Sequence, residues 1–194
     1  MPLSKTIERE LMHSRDIRCD GYLRADGFWD IEGFLCDTKT YTLEHSLRQR
    51  VEAGAPTHDM KVRITIGDDR VIRSVDVAMD AYAFPDCPRA EPNYQRLVGL
   101  DIGPGFTKKL RELVGHSQGC THVSWLFQCV ARVALQTLTR QVTMGQISGF
   151  DTFFGQRGES NRPALVDSCH AYAADGQVVK ILFPEYYSDP DAQD

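Results

Sequence analysis

No two of the six cysteines, at positions 19, 36, 87, 120, 129 and 169, stand in a C-x-x-C spacing. That excludes a contiguous zinc knuckle or dithiol redox motif, so any metal site must be assembled from distant segments. No apolar stretch approaches the ~20 residues that a membrane span requires. Met1 to Arg18 is charged throughout and has no apolar centre. These absences predict a cytoplasmic chain with reduced thiols, no signal peptide and no membrane partner. Lys/Arg-rich runs and basic-aromatic stripes are missing too, and the net charge is −5, so nucleic acid is not an expected partner. A P-loop, an H-E-x-x-H pair and a Ser-centred nucleophile elbow are all lacking, as are repeats and low-complexity segments.

What is present is a globular composition, 42% hydrophobic and 25% charged over 194 residues. It suits one domain over residues 1–187, followed by an acidic, disordered tail over 188–194. Ile17 to Tyr41 reads as a β-hairpin about the Asp26-Gly27 turn. In its second strand Trp29, Ile31, Gly33 and Leu35 alternate with Asp30, Glu32, Phe34 and Cys36, giving an apolar face and a face with two carboxylates. Asp37 reads as a turn residue. Tyr41 to Gly54 reads as connecting structure with a short helix. The loop Ala55 to Asp59 then leads into a strand over 60–66, and Val71 to Ala81 returns as a fourth strand.

Pro85 and Pro88 stiffen the loop that carries Cys87. Helical periodicity follows over 92–98, 106–114 and 121–143. In the last segment Val123, Leu126, Phe127, Val130, Val133, Ala134 and Leu138 recur at helical steps. Met144 to Asn161 reads as a long surface loop whose Phe150, Phe153 and Phe154 suit a lid or a partner surface. Leu165 to Tyr172 and Gln177 to Phe183 flank a turn and read as a final hairpin. Strands first and helices after predict an α+β fold: an antiparallel sheet of about four strands plus this hairpin, packed by three helices.

The chemistry concentrates at Gly119-Cys120-Thr121-His122, where a thiol and an imidazole meet the first turn of the longest helix. Unpaired N–H groups and a partial positive charge there favour an anion. The layout of iron–sulfur cluster assembly scaffolds, which residues 55–140 resemble, implies that His58, Cys87, Cys120 and His122 converge as an imidazole-thiolate set suited to one divalent ion, zinc ahead of iron. Asp59 stands beside His58 as a ligand, an orienting acceptor or a base. Asp30 and Glu32 offer a general base or acid, and otherwise a solvated pair. Lys108 and Arg111 on the 106–114 helix, with His170, offer contacts to an acidic substrate, or else a solvated surface. Cys120 paired with His122 also suits a covalent nucleophile, a role that competes with metal binding.

Two resemblances add to this. Asp26 to Gly33, Asp37-Thr38-Lys39, His58-Asp59-Met60, Cys87-Pro88, Leu97 to Leu100, Gly103 to Phe106, Gly119 to His122 and Asp167 to Tyr172 together resemble a bacterial domain-of-unknown-function family, DUF2889. The family brings no established activity, but implies a place among genes for breakdown of aromatic compounds. Over residues 55–140 the layout also resembles the scaffold proteins of iron–sulfur cluster assembly. There, Met60-Lys61 leads a strand, Cys87 occupies a ligand loop, and Cys120 with His122 opens the last long helix. The chain departs from that pattern where His58-Asp59 replaces a cysteine. The resulting expectation is a metal-dependent hydrolase acting on a small acidic, aromatic metabolite as a phosphate ester, ester or thioester. The alternatives are a sulfur or iron–sulfur carrier and a non-enzymatic ligand-binding accessory protein. A small molecule is the expected partner, and a homo-oligomer is compatible with the sequence.

Overall fold

The computed structural model describes residues 3–45, 48–143 and 162–189. Strands β1 (His13–Leu23), β2 (Trp29–Lys39), β5 (Pro56–Ile66) and β6 (Ile72–Ala81) form an antiparallel sheet in the order β1-β2-β5-β6. Strands β3 (Leu43–His45) and β4 (Arg48–Val51) form a separate two-stranded ribbon where a short helix was expected. Helices α1 (Phe106–Val114) and α2 (Thr121–Thr143) follow, and a 3-10 segment, Cys87–Leu97, precedes them. The architecture is α+β. Elements β2, β6, α1 and α2 fall where the sequence periodicity places them, whereas β1 and β5 each begin four residues earlier, at His13 and Pro56, and the helix expected over 92–98 is the 3-10 segment Cys87–Leu97.

The sheet buries one face and solvates the other, as antiparallel sheets commonly do. On β2 the residues Trp29, Ile31, Leu35 and Asp37 are all buried. Helix α2 lies on this face, with Val123, Leu126, Phe127, Val130, Ala134 and Leu138 buried against it. Gly33 makes the close approach: a Cβ there would sit 2.5 Å from Val130 Cγ2 and 3.1 Å from Leu126. The opposite face carries ion pairs between neighbouring strands, including Lys61 with Asp80 and Arg63 with Asp76.

The C-terminal hairpin is replaced by helical structure. Residues His170–Tyr172 and Pro184–Tyr186 are 3-10 turns, and Gln177–Leu182 is a short helix, α3. Val166, Val179 and Phe183 form a small buried cluster of their own. Short apolar runs such as Val178 to Phe183 do not distinguish strand from helix by pattern. Here the four-residue step from Val179 to Phe183 buries both on one side. The loop expected over Met144 to Asn161, and residues 190–194 of the tail, lie outside the described residues. Among the described residues, no helix is long and apolar enough to cross a membrane.

Gly33→Ala tests the sheet–helix contact. We expect a loss of about 1–3 kcal/mol from overpacking, read as a lower urea midpoint at unchanged m value.

Candidate metal centre

Alternation along β2 runs past Leu35 and sets Asp37 on the helix-covered face, although its sequence context suggested a turn. Asp37 pairs across the sheet with Arg15 on β1 and with His58 on β5. Its side chain is only 2% exposed. Arg15 donates to both carboxylate oxygens, from Nε and Nη2, each at 2.7 Å. His58 Nδ1 lies 3.0 Å from Oδ2. Two more imidazoles approach, His122 Nε2 at 3.8 Å from Oδ2 and His13 Nε2 at 3.6 Å from Oδ1. Thr57 Oγ1 donates to the Asp37 carbonyl at 3.1 Å.

Burial opposes ionisation of Asp37, but the hydrogen bonds and charge of Arg15, with His58 adding to them, hold its carboxyl below the usual range. Asp37 is therefore an acceptor, and the 3.0 Å contact requires His58 Nδ1 to carry the proton. Its Nε2 is the ring nitrogen left over for another partner. His122 stacks on His58, with ring centroids 3.9 Å apart. Burial, together with His58 and Arg15, pushes the His122 imidazole below its usual range despite the attraction of Asp37. A neutral imidazole is the form that binds a metal. Ligand atoms of Asp37, His58 and His122 all lie within 4.8 Å of one another, so the three could hold a metal ion.

The site opens into a cavity of about 720 Å³, whose lining includes His58, Cys87, Cys120 and His122. The fold thus brings all four residues of the expected ligand set to one cavity. It places His58 on strand β5, not in a loop, which fixes the face it presents. Cys120 Sγ lies 3.7 Å from His122 Nδ1. The Cys120 backbone is clamped by Tyr94, which is fully buried. Tyr94 Oη accepts from the Cys120 N–H at 2.9 Å and lies 3.0 Å from the Cys120 carbonyl and 3.0 Å from Ser124 Oγ. Burial raises the phenol above its usual range, so Oη keeps its proton. Gly119 allows this approach, since a Cβ would meet the Val114 carbonyl oxygen at 2.2 Å.

Other expected residues do not join the site. Asp30 and Glu32 lie on the opposite face of the sheet, because β2 alternates and Asp37 occupies the inner face. Asp30 accepts from Thr65 Oγ1 at 2.6 Å, and Glu32 sits 3.8 Å from Arg63. Asp59 faces outward as well, since it pairs with Cys36 while its neighbour His58 points in. Lys108 and Arg111 are exposed on α1, where Lys108 is 3.9 Å from Glu112. His170 is exposed in the C-terminal turn. Neither Lys108, Arg111 nor His170 lines the cavity. Sequence reading missed Asp37, Arg15, His13 and Tyr94. The signal for Asp37 was the period-two pattern itself, extended one further step. Cys19, by contrast, is a packing thiol, pushed up to about 11 by burial, with Cys129 and Asp20 adding.

The family model described as "Protein of unknown function (DUF2889)" matches residues 13–136, a span that contains every residue of this site. No curated protein and no solved structure matches the chain, so the layout shared with cluster-assembly scaffolds gains no support there.

The pairing of Asp37 sets an acid dependence for the metal-free protein. Its carboxyl is held low in the folded state, so its contribution is complete above the unfolded value of about 3.9 and is lost as pH falls through the folded value. Asp37→Asn should cost about 1–3 kcal/mol at pH 7. The gap to wild type should narrow as urea unfolding is repeated at progressively lower pH, below about pH 4.

Proposed function

We propose that this chain, which belongs to the DUF2889 family of proteins of unknown function, is a metal-dependent hydrolase of small acidic metabolites. The observation that carries the reading is the convergence of Asp37, His58 and His122 within 4.8 Å, with His58 and His122 lining a cavity and Asp37 buried behind them. Two imidazoles and a carboxylate suit zinc first, with ferrous iron second. Asp37 accepts two hydrogen bonds from Arg15 and one from His58. A carboxylate offers about four lone-pair sites, so one is left for an ion. Asp37, His58 and His122 would hold the ion, and zinc held by three protein ligands would acidify a bound water to a pKa of about 7. The chemistry supplied is a hydroxide nucleophile at neutral pH.

The cavity suits a substrate with an apolar, planar part and a polar end. Met60, Ala83, Phe84 and Ala90 line one part of it, while Arg89, Asn93 and Thr121 contribute polar groups. An aromatic ester, phosphate ester or thioester has this make-up, and a cytoplasmic catabolic setting fits it. The carrier reading is weaker. An iron–sulfur carrier needs several thiolates at one point, and the group of Asp37, His58 and His122 contains none.

Elemental analysis of the purified chain tests the proposal. About one zinc per chain is expected in the wild type, with His58→Ala and His122→Ala reduced to less than about a tenth of it. Hydrolysis of p-nitrophenyl acetate and p-nitrophenyl phosphate should reveal the ester class, and both variants should lose at least about a hundredfold in rate. Cys129→Ser and Glu32→Gln, which alter the α2 packing side and the outer face, should keep full metal content. A metal-free wild type, or His58→Ala with undiminished zinc, overturns the reading.

A further inference from the structure

Cys120 is left without a role by a centre built on Asp37, His58 and His122, yet its position is among the most closely determined in the chain. Tyr94 holds both its N–H and its carbonyl, at 2.9 and 3.0 Å. The same carbonyl accepts the Ser124 N–H at 2.9 Å, so Cys120 caps the first turn of the 23-residue helix α2. Its side chain is half-buried and lines the cavity beside His122. The imidazole stands between the two groups: Nε2 is turned to Asp37 at 3.8 Å, and Nδ1 to the Cys120 sulfur at 3.7 Å. Sulfur and imidazole are thus within hydrogen-bond reach at the wall of the cavity, at the start of α2.

We propose that Cys120 is a nucleophile that accepts the acyl group of thioester substrates, forming a covalent acyl-enzyme in this cavity. The thiolate is the reacting species. Its sulfur attacks the thioester carbonyl carbon, a new S–C bond forms, and the bond to the departing sulfur breaks. The substrate's thiol leaves as a thiolate and takes a proton from water. No oxidant or reductant is needed, because one thioester replaces another. Release then rests on the metal reading: an ion held by Asp37, His58 and His122 would supply the hydroxide that hydrolyses the Cys120 acyl group. The carboxylic acid departs, and the sulfur is restored as thiolate.

The first step stands without the metal, which separates the two readings. Full-length protein, metal-loaded and chelator-stripped, is mixed with the acetyl and benzoyl thioesters of N-acetylcysteamine, then quenched in acid. Intact mass and peptide mapping locate any acyl group. The expected result is one acyl group on the peptide carrying Cys120, accumulating in stripped protein and turning over when metal is restored. Cys87→Ser should keep the label at Cys120. Cys120→Ala should lose it, and thioester hydrolysis by the loaded protein should fall at least about a hundredfold. The wild-type map decides the matter even if a variant fails to fold. Acylation spread equally over Cys120, Cys87 and the exposed Cys169 overturns the proposal. So does full thioester hydrolysis by folded Cys120→Ala, and in that case a metal-replete protein leaves the metal reading standing. A Cys120 adduct on protein that binds no metal supports the nucleophile and removes the metal centre instead.

Discussion

A carboxylate that keeps 2% of its surface exposed has to be matched by cations and donors, and the site around Asp37 is that match. Arg15 supplies the charge and two hydrogen bonds; His58 supplies a third. The consequences propagate outward. A fixed acceptor decides that Nδ1 of His58 is the nitrogen turned to Asp37, which leaves Nε2 for any other partner. The stacked His122 is then held at close range, where burial keeps it neutral. Without the Arg15 pair, two imidazoles beside a buried acid would have no fixed protonation pattern. The pairing also explains why three adjacent strands are needed: Arg15, Asp37 and His58 are direct cross-strand partners on β1, β2 and β5.

The helix side of the site is built by different means. Gly33 lets α2 lie close over β2, and this approach brings the start of α2 to the end of the sheet where Asp37 and His58 stand. Tyr94, from the 3-10 segment, then fixes the residue that caps the helix. Packing and hydrogen bonding thus place a thiol and an imidazole on rigid elements, where geometry can be held to a fraction of an ångström. The outer face of the sheet, with its ion pairs between exposed side chains, contributes little to this. Such pairs are typically worth ~0–1 kcal/mol and chiefly keep that face in water.

Much of this was legible in the sequence, and the failures have physical causes. Alternation from Trp29 to Leu35 gave the correct face for each residue of β2, and helical periodicity gave α1 and α2. The same alternation, carried to residue 37, puts an acid inside; a buried charge is rare enough that a turn was the simpler reading. Pro56 suggested a loop, but a proline is tolerated at the first residue of a strand, so β5 begins there and His58 becomes a strand residue. Cys87, Cys120, His58 and His122 all line one cavity, but the group close enough to share an ion takes Asp37 and neither cysteine. What the sequence could not show was that the cavity lies on the apolar face of β2, away from Asp30 and Glu32. Nor could it show that a tyrosine 26 residues before Cys120 holds its backbone.

The most direct test of the account is X-ray absorption on the purified protein at the zinc and iron edges. A single ion surrounded by nitrogen and oxygen neighbours at about 2.0–2.2 Å is the predicted result, with no metal–metal vector. A protein without metal, or a shell of sulfur alone at about 2.3 Å, would contradict a centre built on Asp37, His58 and His122.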